Sequence, residues 1–278
     1  MGGQSVFKAL IWLGQKLPAS WRVALTYSPA AAWLRRFTLL PLTKGQVVVA
    51  LSGPLTGYRM KLDIRSGHRR YALGTYEPHI CTLIQSYLHE GETVMDIGAN
   101  IGYFTLLMAS KVGPQGRVIA FEPVPTVYNV LLENLRLNAS AHVCAECQAV
   151  AEVEDVAYMQ SDTENPLSFV GHLSESGDLE VKTITVDDYV HAVGLNGLDF
   201  VKIDVEGAED HVLQGMINTL KYLKPTILLE MHANDGGNSL GLCLLKQEGY
   251  QLLRVEKDGL FPCYTRAQGG YILGRWRG

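Results

Sequence analysis

Ionisable residues collect at a few points of this sequence, each at the end of an apolar run. Asp96 follows Val94 and Met95 and stands two residues before the first glycine of Asp96-Ile-Gly-Ala-Asn-Ile-Gly102. Glu122 closes the run Val118–Phe121, and Pro123 then turns the chain. Lys202, Asp204, Glu206 and Glu209 crowd one short segment, and Glu230 and His232 end another. Crowded carboxylates raise one another's proton affinity, which suits acid/base work. Histidine is the side chain that is both neutral and basic near pH 7. His232 is therefore the best candidate for a general base, with Glu206 or Glu230 as its orienter. Glu209 reads equally as a first-turn helix carboxylate, favoured by the helix dipole.

The glycine turn narrows the ligand. Gly98 and Gly102 lack side chains, so a flat ligand can lie against the backbone. A carboxylate at Asp96 would repel pyrophosphate and suits a ligand carrying positive charge. Glu122, at the carboxyl end of the neighbouring strand, falls where a ribose would lie, with two oxygens for two hydroxyls. Asp204 would close one side of the same pocket.

These residues need a frame. Strand 92–97, helix 102–111, strand 117–122, helix 125–138 and strand 142–149 alternate, which predicts a parallel sheet with helices on both faces. Asn100 is the expected N-cap of the first of these helices. Residues 150–185 break the alternation and read as an antiparallel excursion ending in strand 179–185. Ser168, Phe169 and His172 in that excursion are candidate acceptor-facing residues, although a lone loop histidine reads equally as solvated. Strands 199–204 and 226–232 and helix 240–248 follow. Strands 250–255 and 270–274 are expected to pair as a hairpin around Lys257-Asp-Gly259. Upstream, residues 46–64 read as a β-hairpin around Ser52-Gly-Pro54, and a helix is expected over 79–88. The predicted division is an N-terminal helical and hairpin extension, 1–75, and a catalytic domain, 76–278.

Asp96-Ile-Gly-Ala-Asn-Ile-Gly-Tyr103, Phe121-Glu-Pro123 and Asp199-Phe-Val-Lys-Ile-Asp-Val-Glu-Gly-Ala-Glu209, in that order, resemble the FkbM family of methyltransferases. The resemblance implies an α/β, Rossmann-like methyltransferase fold with a mostly parallel seven-stranded sheet. It implies S-adenosyl-L-methionine as cofactor and O-methylation of a natural product or glycan-type small molecule. By the same resemblance Asp96, Gly98, Asn100, Gly102, Glu122, Pro123 and Asp204 bind the cofactor, and Tyr76 and Glu77 help to cover it. The stretch Asp204-Val-Glu-Gly207 lacks the aromatic that nitrogen-methylating enzymes use to stack a flipped base, which favours an oxygen acceptor. Asp204, Glu206 and Glu230 are hard oxygen ligands of the kind divalent cations take. Their pattern is not the usual metal one, and no metal is expected. The competing readings are a nucleotide- or nicotinamide-binding oxidoreductase, disfavoured by the Gly98-x-x-x-Gly102 spacing and by Asp96, and a catalytically inert cofactor-binding scaffold.

A net charge of −4 over 278 residues argues against nucleic acid as partner. The charge is uneven, since no Asp or Glu precedes Asp63 whereas eight Lys and Arg residues do. Residues 1–40 combine basic residues with apolar ones at helical spacing (Val6, Phe7, Leu10, Leu13, Leu17). They read as helices packed on the domain or as a peripheral membrane surface. The apolar run breaks at Gln15-Lys16, against a signal peptide, and is too short for a spanning helix. Five cysteines, an odd number, fit a reducing, cytoplasmic location. Cys144-x-x-Cys147 has no second ligand pair at metal-binding spacing and reads as two strand residues.

Overall fold

Gln46–Val49 (β1) is a run of three valines after one polar residue, and burial alternates along it, with Val47 and Val49 exposed and Val48 buried. Its partner Arg59–Leu62 (β2) pairs antiparallel, Gln46 opposite Leu62, with Met60 and Leu62 facing inward. This is the expected hairpin. The computed structural model describes residues 46–63, 68–159, 176–232, 239–263 and 269–277. It comprises two compact units, residues 1–78 and 79–278. The first also holds a single helical turn, Arg69–Ala72 (α1). Tyr76 and Glu77 lie in this unit, beside Arg70: its guanidinium is 5.3 Å from the Tyr76 ring centre and 4.0 Å from the Glu77 carboxylate. The 1–40 segment and Ser168, Phe169 and His172 fall outside the described residues.

The second unit follows helix Pro78–Tyr87 (α2) with an alternation of strands and helices. In order these are Thr93–Ile97 (β3), Tyr103–Val112 (α3), Arg117–Phe121 (β4), Pro125–Leu137 (α4) and Val143–Glu146 (β5). Ala149–Val150 (β6), Val156–Met159 (β7), Leu179–Ile184 (β8) and Val186–Ala192 (α5) come next. Phe200–Ile203 (β9), Glu209–Gln214 (α6), Ile217–Tyr222 (α7) and Thr226–Met231 (β10) precede Leu240–Gln247 (α8). Tyr250–Glu256 (β11), Gly259–Pro262 (β12) and Gly270–Trp276 (β13) close the chain.

The main sheet has eight strands in the order β12-β11-β13-β10-β9-β3-β4-β5. From β10 to β5 every pairing is parallel, while β13, β11 and β12 pair antiparallel. The Rossmann-like methyltransferase arrangement expected from the sequence is present, with β12 as an eighth strand at one edge. Two expectations are corrected. Strands 250–255 and 270–274 do pair antiparallel, as β11 and β13, but the turn at Lys257-Asp258 joins β11 to β12, and β13 returns to lie between β10 and β11. The expected strand 142–149 is two strands, with β5 in the main sheet and β6 paired to β8 in a small three-stranded sheet.

Both faces of the parallel strands are covered, which is why they read as continuous apolar runs. On one face Met95, Ile97, Ile119, Phe121, Val201, Ile203, Ile227 and Leu229 pack with Val212, Leu213 and Met216 of the α6 region and Leu242 and Leu245 of α8. Each such side chain taken fully out of water contributes about 1.5–3 kcal/mol. Side chains alternate along a strand, so Asp96 and Lys202 lie on the opposite face, where Thr105 and Phe104 of α3 meet them. Among the described residues no helix is long and apolar enough to cross a membrane.

Candidate active site

The glycine turn is shaped by the strand ends on either side of it. The N–H groups of Gly98 and Ala99 both donate to the Phe121 carbonyl, and Asp204 N–H donates to the Ile97 carbonyl. Gly98 has φ +78°, and a Cβ there would stand 1.8 Å from the Asp204 carbonyl oxygen. Glycine is thus required by backbone approach as well as by conformation. Asn100 is not the helix cap expected. Gly102, at φ +91°, occupies the N-cap position of α3, while Asn100 (φ +48°) accepts the Ile101 N–H on its own Oδ1. Asparagine tolerates this left-handed conformation because its short side chain bonds locally.

Asp96 is fully buried and its charge is already matched. Oδ1 lies 3.1 Å from Lys202 Nζ, and Oδ2 accepts from Thr105 Oγ1 at 2.6 Å. The carboxylate therefore does not point into the turn at a ligand, as the sequence suggested. It anchors Lys202, which also donates to the Gly98 carbonyl at 3.3 Å and reaches Asp204 at 3.4 Å. Burial works against the Lys202 charge, but Asp96 and Asp204 outweigh it and hold the ammonium above the usual lysine range.

Glu122 emerges at the carboxyl end of β4, 6% exposed. Its Oε2 accepts the Asn100 N–H and its Oε1 the Val124 N–H, both at 2.9 Å. Burial pushes its carboxyl up to about 7, against the lowering effect of those two hydrogen bonds. Pro123, between Glu122 and α4, accepts a contact from Cys147 Sγ on its carbonyl at 3.8 Å. The Cys144 and Cys147 thiols are both raised by burial.

Beyond β9 the chain makes a second tight turn through Glu206 (φ +53°) and Gly207 (φ +100°) into α6. This turn faces the end of β10 and brings His232 between two carboxylates. Glu209 Oε1 lies 2.7 Å from Nδ1, and Glu206 Oε2 lies 3.1 Å from Nε2. The hydrogen bond to Glu209 is the main cause, with Glu206 and Asp204 adding, that raises the imidazole to about 9 against the opposing effect of burial. The resting residue is an imidazolium, where the sequence suggested a neutral base. Glu206 is one of the two orienters expected, and Glu209 is the other partner. Glu230 is the register partner of Tyr271 on β13 and takes a hydrogen bond from it. Burial and the Asp204 charge push Glu230 to about 7. Asp204, Glu230 and His232 bring one ligand atom each within 4.8 Å of one another. With Nδ1 and Nε2 both engaged by carboxylates, the imidazole has no lone pair to offer a cation in this arrangement.

The carboxyl edge of the sheet thus gathers Asp96, Glu122, Asp204, Glu206, Glu209 and Glu230 against Lys202 and His232. A doubly wound sheet with a glycine turn at its centre and acids at both neighbouring strand ends defines the Rossmann-like methyltransferase class. The family model described as "Methyltransferase FkbM domain" matches residues 96–252, and the chain belongs to the FkbM family of S-adenosylmethionine-dependent methyltransferases. It is 25% identical over 198 residues to hexuronic acid methyltransferase AglP of Haloferax volcanii, covering 70% of this chain and 79% of that protein. It is 27% identical over 208 residues to the 31-O-demethyl-FK506 methyltransferase FkbM of Streptomyces tacrolimicus, covering 63% and 78%. A solved FkbM methyltransferase from Methylobacillus flagellatus aligns at 18% identity and TM-score 0.45, over 67% of this chain and 44% of that one. The family sets aside the oxidoreductase reading.

The residues present fit the family's cofactor. Each Glu122 oxygen accepts one main-chain N–H and keeps a further lone pair, which suits a sugar diol. The surplus of carboxylates over cations at this edge suits a sulfonium and an ammonium. Glu209, which the sequence left equally as a first-turn helix acid, is the closer of the two carboxylates to the imidazole.

Proposed function

We propose that this protein transfers a methyl group to a hydroxyl oxygen of a natural product or glycan-type small molecule, with His232 taking the hydroxyl proton. The observation that carries this reading is the imidazole held between Glu206 and Glu209 at the end of β10, next to the strand end that bears Asp204. When bound, S-adenosylmethionine supplies a methyl group already electrophilic on a sulfonium. The protein's own work is then alignment and proton removal. Gly98, Asn100, Gly102, Glu122, Pro123 and Asp204 hold the cofactor, and Asp96 acts through Lys202.

The proton affinity of His232 depends on the charges of Glu206, Glu209 and Asp204. Pairing Asp204 with a cation lowers that affinity, in the direction of a neutral imidazole whose Nε2 proton has passed to Glu206 or solvent. Nε2 then accepts the hydroxyl proton, restoring the imidazolium between its two carboxylates. Glu230, at about 7, buffers the same pocket.

Support for an oxygen acceptor comes from the names of two relatives, one a hexuronic acid methyltransferase and one named for a 31-O-demethyl substrate. The carboxylate-rich turn after β9, with no aromatic to stack a base, adds to it. An odd number of cysteines, five, supports a reducing, cytoplasmic setting. The test is transfer of a 13C-labelled methyl group to a panel of sugar-acid, glycoside and polyketide alcohols. A methyl ether carbon in the product spectrum is expected. Product carrying only N-methyl or C-methyl carbon would contradict the reading.

A further inference from the structure

Two carboxylates hold one imidazole, and they differ in every physical respect that matters for proton transfer. The Glu209 side chain is 2% exposed, and its Oε1 accepts the Gly207 N–H at 2.8 Å while lying 2.7 Å from His232 Nδ1. The Glu206 side chain is 35% exposed, makes the longer contact of 3.1 Å to Nε2, and sits on left-handed backbone before Gly207. Resting on the reading of His232 as the base, we propose that Glu209 is the positioning residue of this site: it fixes the imidazole through Nδ1 so that Nε2 faces the acceptor, and Glu206 is the partner the acceptor hydroxyl replaces there.

The chemistry follows from which nitrogen keeps its proton. A carboxylate oxygen facing Nδ1 stabilises Nδ1–H and repels an Nδ1 lone pair, so the neutral imidazole leaves its lone pair on Nε2. A buried oxygen tied to a main-chain N–H cannot swing away from that duty. Glu206 is the more open of the two, 35% exposed, so solvent meets its carboxylate when a hydroxyl takes its place at Nε2. The proton balance closes without another reactant: the resting imidazolium first gives its Nε2 proton to Glu206 or water, the acceptor O–H bond then breaks as Nε2–H forms again, and Glu206 or water carries that proton away after transfer. The other described groups facing His232 are Asp204 and Glu230, with Lys202 beside Asp204, and they act on its charge rather than on its tautomer.

Long-range 1H–15N spectra of the full-length protein read the tautomer and midpoint of His232 without an acceptor, its signals being identified by their loss in His232→Gln. Wild type and Glu206→Gln are expected to hold the neutral-state proton on Nδ1, and Glu209→Leu is expected to move it to Nε2. Glu209→Gln keeps size and an acceptor oxygen, and so remains informative if the leucine variant fails to fold. It is expected to lower the His232 midpoint by about one unit or more, and by more than Glu206→Gln does. An Nδ1–H tautomer that survives Glu209→Leu in folded protein overturns the assignment, as does a midpoint that follows Glu206→Gln and ignores Glu209→Gln. With an acceptor in hand, Glu209→Gln is expected to lower kcat about 10–100-fold and leave KM unchanged, the scale typical of groups that orient another ligand or base. Failure of the base reading shows separately, as unchanged turnover in His232→Ala.

Discussion

Asp96 and Lys202 are register partners on adjacent parallel strands, and their charged atoms lie 3.1 Å apart with neither side chain more than 1% exposed. One ammonium thereby ties the acid before the glycine turn to the turn's own carbonyl and to Asp204 at the next strand end. Removing one partner of a buried pair leaves the other charge uncompensated, at a cost of about 3–5 kcal/mol. Lys202→Met is expected to lower the urea midpoint accordingly at unchanged m-value. Adding Asp96→Asn is expected to recover part of that loss, since the two positions couple directly.

Gly98 and Gly91 share a left-handed backbone, φ +78° and +88°, but differ in their surroundings. A Cβ on Gly91 meets nothing within 4 Å, whereas one on Gly98 meets the Asp204 carbonyl at 1.8 Å. Gly91→Ala is expected to cost about 1–2 kcal/mol from backbone conformation alone. Gly98→Ala is expected to exceed about 4 kcal/mol and to abolish cofactor binding. Thermal unfolding of the two variants side by side checks the contrast.

The carboxyl of Glu122 stands at about 7, and only its ionised form can accept two hydroxyl protons. Cofactor affinity is therefore expected to fall as pH drops through about 7. Binding just below that value should release protons, read as a dependence of calorimetric heat on the ionisation enthalpy of the buffer. Glu122→Gln is expected to bind more weakly and to lose both dependences.

His232 titrates at about 9 in the folded protein against an ordinary value of 6.5. A raised histidine contributes stability that is fully present below the unfolded value and is lost as pH rises through the folded one. Unfolding free energy is thus expected to decline between pH 6.5 and about 9, and His232→Gln to flatten that decline. Urea titrations across the window measure it.

Much of this was legible in the chain. Apolar runs followed by acids marked β3, β4, β9 and β10, because strands covered on both faces carry few polar residues apart from a buried pair such as Asp96 and Lys202. What escaped depended on contacts distant in sequence. Asp96 looked like a ligand-facing acid, since nothing local to it announces a lysine 106 residues away on the adjacent strand. Asn100 looked like a cap, but the turn runs on to Gly102 because the backbone first bonds the end of β4. The pairing of β11 with β13 was legible, but the turn at Lys257-Asp258-Gly259 leads first to β12, because a hairpin signal names a turn and not which later strand follows it. Glu209 was hidden by its own double use, as a helix-start acid and as the partner of His232.

The proposed cofactor site is the carboxyl edge of the sheet, with Glu122 gripping the cofactor's sugar. Calorimetric titration of S-adenosylhomocysteine into wild type and Glu122→Ala tests this most directly. Saturable one-to-one binding in the wild type, weakened about 10–100-fold by loss of the charge-assisted hydrogen bonds in the variant, is the expected result. Equal affinity in both proteins, or no heat from folded wild type, would contradict it.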